Sequence, residues 1–164
     1  MRPVLRACAA SALMLVFATA AQAAPDKDFV VKAMQGDNSE TRLGAIAARR
    51  GASAGVRDFG RMLRDDHSRA KPDAVLLARR LGVPPTDAMA PEARKEERRL
   101  QGLSGRRFDR EFASYMVKDH RKDIEDFQRE ASNGANPRAR ALAAQNIPVL
   151  QKHLQTAQRL NRTL

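Results

Sequence analysis

The chain has 164 residues, with 30 Lys or Arg against 19 Asp or Glu, which gives a formal net charge of +11. Its single cysteine excludes a disulfide-stabilised scaffold, and the absence of tryptophan leaves few aromatic surfaces on which nucleic-acid bases could stack. Such a basic surface still suits an anionic partner, and lipid or polysaccharide of a cell envelope fits better than nucleic acid.

The first predicted element is a secretory signal peptide at residues 1–23. Two arginines precede an apolar stretch over residues 7–21, and the small-residue triplet Ala21-Gln22-Ala23 closes it, as in cleavable signal peptides. The stretch is too short for a comfortable membrane span, and Cys8 lies before it, where lipid attachment is not expected. We therefore expect residues 24–164 to be one cysteine-free domain with a charge of +9, in the periplasm or secreted, without a transmembrane span.

The next two predicted elements are long amphipathic helices. The first runs from about Asp28 to Arg50. Its middle, Gly36-Asp37-Asn38-Ser39, permits a break, because Gly and short polar side chains favour other backbone conformations. The second begins after Ser53, a good N-cap residue, and ends at Gly82. Both have apolar residues at three- and four-residue spacing, which indicates one core-facing side.

A connector and two further helices complete the chain. Residues 85–105 are predicted to hold a short helix beginning at Pro91, since proline suits a first helical turn. The third long helix covers about 108–131. The fourth starts at Asn136-Pro137, and Pro148 should kink it. Because no strand-like alternation is found, we predict an all-α fold in which four long helices bury their apolar faces as a four-helix bundle.

All three histidines lie in one local pattern, with an apolar residue four positions before and another three or four positions after. His67, His120 and His153 fall near the middle of the second, third and fourth long helices, on the apolar side. Glu40 has the corresponding position in the first. Mid-helix residues on the inner faces of an antiparallel bundle share one layer of the core, so the four are predicted to meet.

Three imidazoles and one carboxylate can bind zinc, copper or iron. Asp66 and Asp119, each one residue before a histidine, are predicted to orient a neighbouring imidazole from behind. Met116 is a conceivable copper ligand, although core packing is the simpler role. The alternative is a buried network in which the imidazoles hydrogen-bond to Glu40, Tyr115 or water and hold no metal.

Several reaction classes lack their motifs in this chain. There is no Glu-x-x-His pair for a carboxylate-rich di-iron centre, no Cys-x-x-Cys-His for covalent haem, and no phosphate loop or serine-nucleophile elbow. The first functional hypothesis is metal binding for storage, buffering or stress protection. The second is a non-catalytic envelope protein that binds anionic surfaces, with structural histidines. A metal-dependent hydrolase or oxidase would need an open ligand position and a cleft, so we assign no enzyme activity.

These helices and histidines resemble the bacterial exported family called domain of unknown function 4142, often labelled outer-membrane proteins. The similar stretches are Phe29–Ala48, Val56–His67, Phe108–His120 and Ile147–Leu154, and Phe112 stands where a tyrosine is expected. The resemblance implies a ferritin-like helical bundle in the cell envelope, with no established activity. A ferritin-like fold would suggest metal only by analogy.

Overall fold

The computed structural model describes the backbone of residues 18–164 and the side chains of residues 25–164. Its five helices, in chain order, are α1 (Ala18–Arg50), α2 (Ala54–Arg80), α3 (Pro91–Gln101), α4 (Gly105–Asn133) and α5 (Pro137–Thr163). The described part contains no strand, so the prediction of an all-α chain with a short helix in the connector is confirmed. None of these helices is long and apolar enough to cross a membrane.

Most of the predicted signal peptide, residues 1–17, lies outside the described residues. Helix α1 begins at Ala18, so the proposed cleavage point after Ala23 falls within a helix. Cleavage and export therefore stay predictions.

The helix ends follow the capping chemistry that the sequence indicates. Ser53 Oγ accepts a hydrogen bond from the Val56 backbone N–H at 3.3 Å, and Asn136 Oδ1 accepts one from Arg138 at 2.9 Å. After α2 the chain turns at Gly82, whose φ of 68° lies in the left-handed region that glycine tolerates. Each cap satisfies backbone groups that a helix end leaves free.

The break anticipated at residues 36–39 does not occur, because the polar side chains there bond to another segment. Asn38 Nδ2 donates to the Thr86 carbonyl at 2.9 Å, and Ser39 Oγ accepts from the Ala90 backbone N–H at 2.9 Å. These bonds tie the connector after α2 across the middle of α1. Helix α5 also continues through Pro148, and the kink expected there stays a prediction.

The bundle consists of two helical hairpins. Helix α1 packs along α2, and α4 packs along α5, while α2 also meets α5 and α1 meets α4. Within the first hairpin, Gly44 and Gly60 allow the backbones to approach closely. A Cβ added to Gly60 would lie 2.6 Å from the Ala48 backbone nitrogen. The short helix α3 contacts α1 and α4.

The loops of the two hairpins are held by the same arrangement of hydrogen bonds, which identifies an internal repeat. Asp109 in α4 accepts hydrogen bonds from both backbone N–H groups of residues 52–53, each at 2.8 Å. Asp26 in α1 does the same for residues 135–136, each at 3.0 Å. Arg57 and Arg140 each donate to the carbonyls of the loop just before their own helix. The same number of residues separates the two aspartates, the two loops and the two arginines along the chain.

The core contains two apolar clusters with a polar layer between them. One cluster includes Leu43, Phe59 and Phe112 and lies toward the loop that joins α1 to α2. The other includes Met34 and Leu77 and lies toward the opposite end of the bundle. Along each long helix, the residue predicted to be a metal ligand stands between the stretches that build these two clusters.

Candidate metal centre

Each long helix contributes one side chain to the polar layer, and these are Glu40, His67, His120 and His153. Glu40, His120 and His153 are fully buried, and His67 is 7% exposed. The three imidazole centroids lie 5.3 to 6.4 Å apart. The sequence-based expectation that these four residues meet is therefore what the structure shows.

The spacing of the ligand atoms suits a single ion. One ligand atom from each of the four residues lies within 4.8 Å of all the others. A tetrahedral ion with bonds of about 2.0 Å separates its ligand atoms by about 3.3 Å. Modest side-chain rotations would therefore bring all four atoms onto one ion.

Every imidazole has one ring nitrogen bound to an acceptor outside the cluster. These hydrogen bonds join His67 Nδ1 to Asp37 Oδ1 at 2.9 Å, His120 Nδ1 to the Met116 carbonyl at 3.0 Å, and His153 Nε2 to Asp66 Oδ2 at 2.9 Å. A carbonyl or an ionised carboxylate can only accept, so each of these nitrogens carries the hydrogen. In the neutral ring, the other nitrogen then carries the lone pair that a metal needs.

The atoms of the cluster that could bind a metal have no hydrogen-bond partner. They are buried and unpartnered at His120 Nε2, His153 Nδ1 and both carboxylate oxygens of Glu40. His67 Nε2 forms an ion pair with Glu40 Oε2, but the contact lacks hydrogen-bond geometry. Buried polar atoms are hydrogen-bonded in the great majority of cases, and an unpartnered one costs free energy. Their concentration at one point is typical of a binding site.

Burial and neighbouring charges set the protonation of the cluster. Burial lowers the pKa of His120 to about 4 and also lowers that of His153. It acts in the same direction on His67, but the Glu40 and Asp37 carboxylates outweigh it and raise the pKa of His67 to about 10. Burial would raise the pKa of Glu40, yet His120 and His67 lower it to about 2. At neutral pH two imidazoles are thus neutral, with free lone pairs.

Of the two aspartates predicted to orient imidazoles, Asp66 does so and Asp119 does not. Asp66 reaches His153 across the bundle, whereas Asp119 accepts from Tyr115 Oη at 3.2 Å and lies beside Glu40. One residue along a helix is a rotation of about 100°, so Asp119 leaves α4 on a different side from His120. Burial raises the pKa of Asp119 well above its ordinary value, and nearby Asp123 and Glu40 raise it further.

Two of the groups that orient the imidazoles have no clear signal in the sequence. Asp37 belongs to the stretch where a helix break is predicted, although it stands three residues before Glu40 and therefore on the same face of α1. The Met116 carbonyl has no side-chain signature at all. The Met116 side chain is fully buried in the apolar core, and Tyr115 bonds to Asp119 rather than to a histidine.

The fold and the cluster together define a helical-bundle protein with a buried histidine–carboxylate centre. The chain belongs to the family described as Domain of unknown function (DUF4142), whose model matches residues 14–160, as the resemblance in the sequence implied. It is also similar to a solved structure, a DUF305 fragment from Deinococcus radiodurans, with 20% identity and a TM-score of 0.73. That match covers 85% of this chain and 97% of the other, and it shows the fold alone. No curated protein matches the chain.

Proposed function

We propose that this protein binds one transition-metal ion, zinc, copper or iron, through His67, His120, His153 and Glu40. The observation that carries the proposal is the arrangement of the imidazoles around Glu40. Each has one nitrogen bound to an outside acceptor and the other buried without a hydrogen bond. Neutral imidazole suits all three metals, so binding would displace the proton that His67 holds in the metal-free protein, and a carboxylate completes a four-coordinate shell.

The groups behind the ligands favour a metal over a purely structural network. Metal-binding histidines commonly donate their second N–H to a carboxylate or a backbone carbonyl, and both kinds of acceptor occur here. The Asp37 and Asp66 carboxylates also place negative charge behind the site, which would stabilise a buried dication. A structural network would be expected to join these atoms by hydrogen bonds, whereas the contacts of His67 and His120 with Glu40 lack hydrogen-bond geometry.

Burial of the site favours holding an ion over transforming a substrate. Glu40, His120 and His153 are fully buried, and His67 is only 7% exposed. Hydrolysis or oxidation at the metal would need an open position facing a cleft. We therefore favour storage, buffering or protection against metal stress, and we place that role in the periplasm because of the signal-peptide pattern at residues 1–23.

The test is elemental analysis of the protein purified from the periplasm without chelator or affinity tag, beside the variant His67→Ala/His120→Ala/His153→Ala. We expect close to one ion per chain in the wild type and none in the variant. Circular dichroism must show that the variant still folds. The element found would separate buffering of a redox-inert ion from redox chemistry.

A second measurement keeps the test valid if the triple variant fails to fold. Addition of zinc or copper to the metal-free wild type should raise its melting temperature, because binding to the folded state alone stabilises by about 2.7 kcal/mol at a hundredfold excess over Kd. The single variant His153→Gln should show a much smaller rise. If the wild type contains no metal and takes up neither ion, the metal-binding proposal is wrong.

A further inference from the structure

A second group of carboxylates adjoins the histidine cluster and shares one residue with it. Asp119 and Asp123 stand four residues apart in α4, so they project from the same face of that helix. One oxygen from each, together with one from Glu40, lies within 4.8 Å of the others. The structure thus places three carboxylates around one point, on the side of Glu40 that faces α4.

Glu40 gives this group a feature that ordinary acidic surfaces lack. Its side chain is fully buried, and neither of its oxygens has a hydrogen bond. A carboxylate offers about four lone-pair directions on two oxygens, so it can serve one ion on the histidine side and another on the aspartate side. The same buried side chain therefore belongs to both clusters.

The charges of the two aspartates in this group are poorly compensated within the described part of the chain. Asp119 receives a hydrogen bond only from the Tyr115 hydroxyl, and no Lys or Arg among the described residues forms an ion pair with Asp119 or Asp123. The nearby Lys122 ammonium bonds to Asp126 at 3.0 Å. Adjacent carboxylates disfavour one another's ionised form, and a divalent cation between them would remove that repulsion.

A surface pocket gives an ion access to this group. It has a volume of about 300 Å³ between α1, the start of α3, and α4, and its lining includes Lys32, Gln35, Ser39, Tyr115, Asp119 and Asp123. The two aspartates thus lie between the pocket and the buried Glu40. A small cation could reach the carboxylates without separation of the long helices.

We propose that Glu40, Asp119 and Asp123 form a second cation site for a hard divalent ion such as manganese(II), with Glu40 bridging to the histidine centre. An all-oxygen ligand set suits such ions, whereas the imidazoles suit zinc or copper. The bridging role of Glu40 rests on the proposed function of the histidine centre. The carboxylate site itself does not.

Electron paramagnetic resonance with manganese(II) tests the site directly. When manganese(II) is added to the zinc-loaded protein, the protein should bind about one equivalent, and the signal of free aqueous manganese should fall by that amount. Asp123→Asn should abolish this uptake without lowering zinc content. Glu125→Gln, which removes an exposed carboxylate from the same helix, is the matched control and should bind as the wild type does. Equal uptake by both variants, or none by the wild type, would overturn the second site.

Loading the histidine centre with copper(II) tests the bridge. If Glu40 is shared, addition of manganese should broaden the copper signal of the wild type and leave that of Asp123→Asn unaltered. Copper bound with an unaltered signal, although manganese is also bound, would contradict the bridge. A protein that binds manganese but takes up neither copper nor zinc when these are offered would instead show that the histidine proposal fails while the carboxylate site stands.

Discussion

The groups that accept hydrogen bonds from the imidazoles fix the orientation of the rings. Asp65 and Asp66 are neighbours on α2 with the same charge, yet they differ in what they contact. Asp66 holds His153 Nε2 at 2.9 Å across the bundle, while Asp65 accepts from Arg64 on the surface. The rotation of about 100° per helical residue makes this difference. Removal of either aspartate changes the net charge equally, but only Asp66 contacts the cluster. A comparison of the two variants therefore distinguishes the effect of the contact from the effect of the charge.

We predict that Asp66→Ala lowers metal affinity about 10- to 100-fold, the usual loss when a group orienting a ligand is removed. Without its acceptor, the His153 ring loses both its fixed tautomer and its orientation. Asp65→Ala should leave the affinity close to that of the wild type. A competition titration against a chelator of known affinity measures both. Equal affinities for the two variants would show that Asp66 has no part in metal binding.

At the scale of helices, the contact between α1 and α2 depends on two glycines. Gly44 and Gly60 face one another, and a Cβ on Gly44 would lie 2.7 Å from the Gly60 carbonyl oxygen. The obstructing atoms belong to backbone, so neither helix can yield without moving as a whole. The close approach sets how the first hairpin presents Glu40 and His67 to the second.

Gly60→Ala should therefore destabilise the fold by about 1–3 kcal/mol through overpacking, in spite of the better helix propensity of alanine. Gly36 lies in α1, and a Cβ there would have no neighbour within 4 Å. Gly36→Ala should accordingly stabilise by about 0.5–1 kcal/mol. Urea unfolding of both variants checks the pair. A stabilised Gly60→Ala variant would mean that α1 and α2 are farther apart than described.

The aspartates that hold the interhelical loops give a second prediction at this scale. Asp109 is 1% exposed, and Asp109→Ala removes the carboxylate that accepts from the backbone N–H groups of residues 52–53. Because each of these two part-buried hydrogen bonds contributes about 0.5–1.5 kcal/mol, the free energy of unfolding should fall by about 1–3 kcal/mol. Asp58→Ala, at an exposed position of α2, should change it little. Similar urea midpoints for the two variants would contradict the role of Asp109.

At the scale of the whole molecule, the sequence predicts the helices and the polar layer better than it predicts contacts between helices. Periodicity and caps such as Ser53 and Asn136 are local, so the starts of α2 and α5 follow from them. The meeting of the histidines follows because mid-helix residues of a bundle share a layer. The continuity of α1 through Gly36 and the bond from Asp37 to His67 depend on which segment packs alongside. Sequence periodicity does not contain that information.

The ends of the bundle also depend on protonation, and Glu130 is the clearest case. It is buried near the loop between α4 and α5. Burial and the neighbouring Asp26 raise its pKa from the ordinary 4.5 to about 7, against the lowering effect of Arg140. A protonated Glu130 donates to Asp26, whereas an ionised one repels it. The folded chain therefore holds this proton more tightly than the unfolded chain does.

Because the folded-state pKa is raised, the stability from this proton is fully present below about pH 4.5 and is lost as the pH rises through about 7. Other groups titrate over the same range, so the effect is read as a difference between variants. Glu130→Gln keeps a donor for Asp26 without a charge, and its melting temperature should fall less than that of the wild type between pH 5 and about pH 8. Glu125→Gln on the same helix should follow the wild type. If the melting temperatures of all three proteins changed equally with pH, Glu130 would be ionised in the folded state throughout this pH range.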